Sequence, residues 1–290
     1  MQRYSKVLKD AKDLLSKPHS FDQKAEIKTT ASNGTAYTGT VSISDKDGSA
    51  SAAVKAEAKS STFSVDKVEV TSGKTLAGEF SLKEAAPNTK FSFKFTDGSR
   101  ASDADITASV GVEYTVPDAG VVTVDANVVG GPTFDFSGLF DYEGVLAGAS
   151  ASVAASSGDG DEKKGPAVTD ANVLLGYRTG DYTLAASTTK WLSVVNVSLV
   201  HKASKDLKAG FVASFPRSGD KGTFDIAVGG EYKLDNDTTV SSAANSKGTV
   251  SLTYKQRLNG FATVSASGQV DAMQLGSDNH KFGLTLQLGN

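Results

Sequence analysis

The sequence predicts an all-β transmembrane barrel, an antiparallel meander preceded by one amphipathic helix. Three observations carry this prediction. Apolar and polar residues alternate with a period of two along nearly the whole chain, as they do in strands with one greasy and one wet face. About 19 such runs follow one another, most of them roughly 8–11 residues long, and a tilted strand of roughly 9–11 residues crosses a bilayer core. The polar face carries charged side chains such as Lys94, Glu113, Asp125 and Glu231, as a water-filled lumen allows.

The helix comes first. Tyr4, Val7, Leu8, Ala11, Leu14 and Leu15 recur at helical spacing, and Lys6, Lys9, Asp10, Asp13 and Lys17 fall mostly on the other side. Pro18 ends the pattern. A helix of about 13 residues is marginal alone in water, so its apolar stripe needs a partner, either a barrel wall or a membrane surface. Asp10 and Asp13 argue against a cleavable mitochondrial presequence, because such peptides are poor in acids.

The strands follow. "AYTGTVSIS" sets Tyr37, Val41 and Ile43 against Thr38, Thr40 and Ser42. "FSFKFT" sets Phe91, Phe93 and Phe95 against Ser92, Lys94 and Thr96. "ITASVGVEY", "VTVDANV", "FDIAVGGEY" and "VSLTYK" repeat the alternation, and "HKFGLTLQL" closes it with Phe282, Leu284, Leu286 and Leu288 on one face. Between the runs lie turn clusters such as "SNG", "SDKDGS", "TDGSR", "RTGD" and "LDND", rich in residues suited to tight reversals. The one long polar stretch is Ser156 to Ala167. With no domain linker between alternating segments, residues 1–290 are expected to form a single domain, with 1–20 as the helical segment and 21–290 as the barrel.

Composition sets the outer limits. The chain has 290 residues, 39% hydrophobic, with 29 glycines and a net charge of −3. No run approaches the roughly 20 apolar residues of a spanning helix. The absence of cysteine excludes disulfides, thiol catalysis and thiolate metal sites. The charge gives no hint of nucleic acid binding, and the first residues do not read as a secretory signal.

A period of two does not say which face is inside. A soluble β-sandwich binding module would bury its apolar face between two sheets, whereas a membrane barrel turns that face to lipid. Both readings stay open on pattern alone, the barrel ahead.

Longer stretches resemble the mitochondrial porins, the voltage-dependent anion channel family. "YSKVLKDAKDLLSK" resembles the family's N-terminal helix, and "FSGLFDYEGVLAG" resembles a mid-barrel hairpin with core "GYEGWLAG". "LLGYRTGDYTL" resembles the following "VGYKTDEFQL". Tyr232 to Leu258 resembles the eukaryotic porin signature, with Tyr232, Asp235, Thr238 and Asn245 in place. "HKFGLTLQL" resembles the final "HKLGLGLEF". The resemblance implies 19 strands, with the helix inside the lumen. An odd strand number implies a parallel closing pair, between the last strand and the one around Gln23 to Thr30. The family's glycine-rich hinge is replaced by Pro18 to Asp22, and the signature's basic residue is missing near Ser242 to Ala244. Asp66 and Glu69 lie near a lipid-facing glutamate of some members, but neither aligns with it.

The same resemblance implies a voltage-gated, weakly anion-preferring diffusion channel for small hydrophilic metabolites and ions, including ATP, ADP and phosphate, in the mitochondrial outer membrane. Its implied partners are membrane lipid, permeating anions and nucleotides, and further copies of the chain or other proteins of that membrane. No cofactor and no nucleic acid is expected. Pore-lining and selectivity positions are Arg3, Lys6, Lys9, Lys12, Lys17, Lys28, Lys55, Lys94, Lys208 and Lys255, with Lys83 of the same parity. Lys9 and Lys17 match family positions of nucleotide contact, although plain solvated lysines account for them equally well. Acids expected to line the wall are Glu26, Glu57, Glu79, Asp105, Glu113, Asp125, Asp135, Asp225 and Glu231. Lys281, Gly283, Leu286 and Leu288 resemble the sorting signal of outer-membrane barrels. A related protein-import barrel shares the fold and that signal; it carries a longer segment ahead of its helix, and this sequence begins at the helix.

Enzyme signatures fail. His19, His201 and His280 lack ligand spacing. "DKDG" and "GDGDE" resemble calcium loops but reach no bidentate Glu at the right distance. No phosphate-binding loop, triad or paired carboxylate emerges. Trp191, the only Trp, is expected at a membrane interface at a strand start.

Overall fold

The structure is a computed structural model and describes residues 2–99, 106–129, 131–155, 165–217, 224–276 and 278–289. Helix α1 spans Tyr4–Ser16. The barrel then runs β1 (Gln23–Thr30), β2 (Ala36–Ile43), β3 (Ala50–Ala58), β4 (Phe63–Thr71), β5 (Leu76–Ala86) and β6 (Thr89–Asp97). It continues through β7 (Ile106–Val116), β8 (Gly120–Asn127), β9 (Thr133–Tyr142), β10 (Val145–Ala154), β11 (Ala167–Arg178) and β12 (Tyr182–Thr189). It ends with β13 (Val194–Lys202), β14 (Leu207–Pro216), β15 (Asp225–Lys233), β16 (Thr238–Asn245), β17 (Thr249–Arg257), β18 (Ala262–Asp271) and β19 (Lys281–Leu288). Among the described residues no helix is long and apolar enough to cross a membrane; the strands do the crossing.

Consecutive strands pair antiparallel from β1 to β19, and β19 then pairs with β1. That seam is parallel, with Lys24 opposite Thr285 and Ile27 opposite Leu288. An up-and-down meander with an odd strand number can close in no other sense, because its first and last strands point the same way. Closure leaves no row of unpaired backbone groups, which explains how the sequence tolerates a long apolar strand at its end.

The short turns match their chemistry. Tyr142 pairs with Val145 across a two-residue loop in which Glu143 and Gly144 take φ of 49° and 86°. Positive φ at both positions is the reversal whose twist suits adjoining strands. Trp191 differs from the expectation of a strand start. Lys190, Trp191 and Leu192 form a left-handed turn, with φ of 53°, 55° and 61°, held by the Trp191 N–H donating to Asp170 Oδ1 at 2.7 Å.

The alternation separates two environments. Val54, Leu175 and Phe282 are 60%, 65% and 62% exposed on the outer face, where lipid rather than water meets them. On the outside of β4 to β6, Phe63, Phe80, Phe93 and Phe95 pack ring against ring with centroids 6.1–6.4 Å apart. The buried apolar cluster is on the other side of the wall. Leu139, Leu146, Leu174 and Ala185 meet Tyr4 and Val7 of the helix there, with Leu8 against them. The sandwich alternative is overturned: there is one closed sheet, and its core is a helix seat on the inner wall.

The long polar stretch falls mainly at residues 156–164, and the expected wall acid at position 105 is Asp105; both lie outside the described residues.

Candidate functional site

The site is the lumen, and α1 shapes it. The helix lies along the inner faces of β9, β10 and β12 to β16. Tyr4, Val7, Ala11 and Leu15 are its buried stripe. Opposite that stripe Lys6, Lys9 and Lys12 are exposed to the lumen.

Three wall glycines let the helix come close. A Cβ at Gly148 would lie 2.8 Å from the Tyr4 ring, and one at Gly229 would lie 3.0 Å from Leu15 Cδ2. Those two would also strike backbone, Gly138 O at 2.8 Å and Ser242 O at 2.1 Å. A Cβ at Gly210 would lie 2.8 Å from Leu14 Cδ2, and its three nearest atoms would all belong to Leu14.

Polar contacts fix both ends. At the N-terminal end Arg178 pairs with Asp141 and donates to Gln2 Oε1 at 2.5 Å. Gln2 in turn donates to Asp10 Oδ2 at 2.6 Å, and Arg3 pairs with Glu113 on β7. At the C-terminal end the linker runs over β17 to β19. His19 Nδ1 lies 2.8 Å from Thr253 Oγ1. Lys281 Nζ lies 6.0 Å from the centroid of Phe21, within reach of the ring's negative face. A Cβ at Gly283 would lie 2.2 Å from Ser20 O, so glycine is what allows the linker to cross there.

The wall charges follow the strand registers. Lys28, Lys55, Lys83, Lys94, Lys208 and Lys255 share the lumen parity, as does each described acid expected there. Pairing binds several together: Lys24 and Lys28 hold Glu26 at 2.8 and 2.9 Å, and Lys55 holds Glu57 at 2.7 Å. Lys67 pairs with Glu69, and the register sets Glu79 between Lys67 and Lys94. Asp125 stands directly opposite Asp135 with no lysine between them.

Sequence reasoning left out several lumen residues. Lys24, Lys67, Lys90, Arg178, Lys202, Lys233, Arg257 and Lys281 share the inner parity, with Glu69, Asp141, Asp170 and Asp271 among the acids. Continuing each run's alternation to its ends would have found most of them.

Lys17 closes a recess of about 370 Å³ with Lys24, Lys255, Glu231 and a bed of threonine and serine hydroxyls. Lys17 also pairs with Asp13 at 2.6 Å. Lys9 does not line this recess, so the two positions tied to nucleotide contact by resemblance are not brought together in it. Of the positions resembling a sorting signal, Leu286 and Leu288 face lipid on β19, whereas Lys281 and Gly283 face the lumen. Among the described residues no cluster of histidines and acids could hold a metal.

A closed barrel, an inward helix and a charged inner wall already specify a pore. The family model described as eukaryotic porin matches residues 1–283. This chain belongs to the eukaryotic porin family. Known porins align along nearly its whole length. Porin 2 of the mitochondrial outer membrane from Oryza sativa subsp. japonica is 28% identical, covering 98% of this chain and 95% of that protein. The voltage-dependent anion-selective channel of Drosophila melanogaster is 26% identical, covering 98% of each. The non-selective voltage-gated ion channel VDAC2 of Meleagris gallopavo is 25% identical, covering 98% and 93%. These eukaryotic porins supply the context for the helix and the charged wall: a channel family working in lipid, with solutes as its cargo.

Proposed function

We propose that this porin is a voltage-gated diffusion channel of the mitochondrial outer membrane with a weak preference for anions, passing small hydrophilic metabolites, ATP, ADP and phosphate among them. Transport has no chemical step. The observation that carries the reading is the placement of α1, which turns Lys6, Lys9 and Lys12 toward the water of a closed barrel. The named relatives support a voltage-gated channel, and they differ on selectivity, one being called anion-selective and another non-selective.

The wall is nearly balanced, because its lysines are interleaved with acids. A wide aqueous pore is screened over about 8 Å at physiological salt, so the narrow part of the bore decides selectivity. The helix concentrates positive charge there. The recess of Lys17, Lys24 and Lys255 adds a hydroxyl-lined spot where a passing phosphate group would linger.

Reversal potentials across a salt gradient in planar bilayers test this. The intact protein should prefer anions weakly. Removing residues 1–17, or changing Lys9, Lys12 and Lys17 to Glu, should move the preference toward cations. A helix-less pore with unchanged anion preference would hand selectivity to the wall and overturn the assignment.

A further inference from the structure

We propose that Gly210 is a positioning residue, the point of the wall that sets how deeply the helix is seated and therefore the shape of the bore. The inference rests on the channel reading but concerns a residue to which that reading assigns no part.

Gly148 and Gly229 approach the helix too, but each would also strike strand backbone if it carried a side chain. Their smallness serves sheet and helix alike. At Gly210 the nearest atoms are Leu14 Cδ2, Cγ and Cβ, at 2.8, 3.4 and 3.7 Å from a Cβ built on the glycine. The strand does not require glycine there, since Gly210 lies within β14 and no positive φ is recorded for it. Glycine weakens a strand interior and often marks a close approach of another segment. Here that segment is the helix.

The location gives the contact leverage. Leu14 and Leu15 are the last apolar residues of the stripe, one turn before Lys17 and the linker. Gly210 pairs with Val200 on one side and Gly229 on the other, so the seats of Leu14 and Leu15 are adjacent. A branched side chain at position 210 would occupy the space of Leu14 and lift the C-terminal half of the helix toward the axis. Lys12 and Lys17 would move with it.

The natural chain has no cysteine, so a single thiol can report the seat. Ala11 is 1% exposed against the wall. With Ala11→Cys as background, maleimide labelling should be slow in the seated protein. Gly210→Val should make it roughly tenfold faster, as when a docked segment's local opening is favoured. Adding Leu14→Ala to Gly210→Val should return labelling to the slow rate and restore a single steady open level in bilayer recordings, which Gly210→Val alone should break into flickering. Leu14→Phe with Gly210 retained leaves the barrel sequence untouched and should reproduce the fast labelling, which keeps the test decisive if the valine barrel fails to assemble. Labelling that stays slow in both Gly210→Val and Leu14→Phe overturns the proposal, as does fast labelling in Gly210→Val that Leu14→Ala does not reverse. Labelling is read without any current, so failure of the channel reading would leave this result standing.

Discussion

His19 Nδ1 lies 2.8 Å from Thr253 Oγ1, and Thr253 Oγ1 lies 2.8 Å from Ser267 Oγ. This chain of contacts ties the helix linker to two barrel strands where the family usually has a glycine-rich hinge. It explains how a linker that contains Pro18 remains compatible with a seated helix: the segment is clamped in place. His19 Nε2 is buried without a hydrogen-bond partner. The recess beside it is lined by Lys17, Lys46 and Lys281 together with Asp22 and Asp45.

The clamp should respond to pH. Burial lowers the His19 pKa from its ordinary 6.5, because desolvation penalises the charged ring. A free linker therefore takes up a proton more readily than a clamped one. Clamping is at full strength above about pH 6.5, the ordinary value for a free imidazole. It weakens as pH falls from there through the lowered value. Labelling of Ser20→Cys, expressed relative to a free thiol at the same pH because the thiolate is the reacting form, should accelerate below that pH when His19 is retained. In His19→Asn, which keeps a polar atom near Nδ1 and does not titrate, the acceleration should vanish; its persistence would assign the effect to a carboxylate.

The N-terminal latch should behave as a charge pair with a third member. Arg178 and Asp141 are 28% and 19% exposed, so removing one partner leaves a largely covered charge. Arg178→Met should cost about 1–3 kcal/mol, the range for stranding a hydrogen-bonded polar group, reduced to the extent that lumen water reaches Asp141. Thermal unfolding in detergent, followed by circular dichroism, should show the loss. Arg178→Met with Asp141→Leu should recover much of it, because removing both charges also removes the stranded one. A double variant no more stable than the single one would count against a coupled pair.

Most of the barrel was legible in the sequence, because alternation is a local property and each strand repeats it. The helix seat was not. It is built where alternation fails, at Leu139 beside Phe140, Val145 beside Leu146, and Leu174 beside Leu175. In each pair one side chain faces lipid and the other faces the helix, and neighbouring apolar residues give no local clue to which is which. Arg178 is obscured by the same doubling, since "LLGYR" reads in either phase until the register is known. Gly210 and Gly229 carry no pattern at all; what they touch is distant in sequence. The helix stripe announced that a partner was needed without naming it.

The last prediction concerns closure, and with it the proposal that residues 21–290 fold as one unit. β19 lies between β18 and β1, so every N–H in the middle of this strand points at a neighbour. Proline there removes a ladder bond that no edge position can spare and leaves the facing carbonyl unpaired, at a cost of about 1–3 kcal/mol. Leu286 pairs with Val264 on one side and Ala25 on the other. Leu286→Pro should therefore open the seam, while Leu286→Val, apolar and suited to strands, should leave it closed. If the barrel is one unit, the damage will not stay local. Trp191, the only Trp, sits in the turn between β12 and β13, well away in strand order from the seam. Its fluorescence should report the loss of structure in Leu286→Pro at the same denaturant concentration as far-ultraviolet dichroism, in one transition shifted to lower denaturant. Refolding in detergent makes the comparison independent of membrane targeting, in which Leu286 has a proposed part of its own. Two separated transitions, with Trp191 unaffected by a proline at the seam, would mean that the β12–β13 region folds independently of the closing pair, and the single-unit proposal would fall.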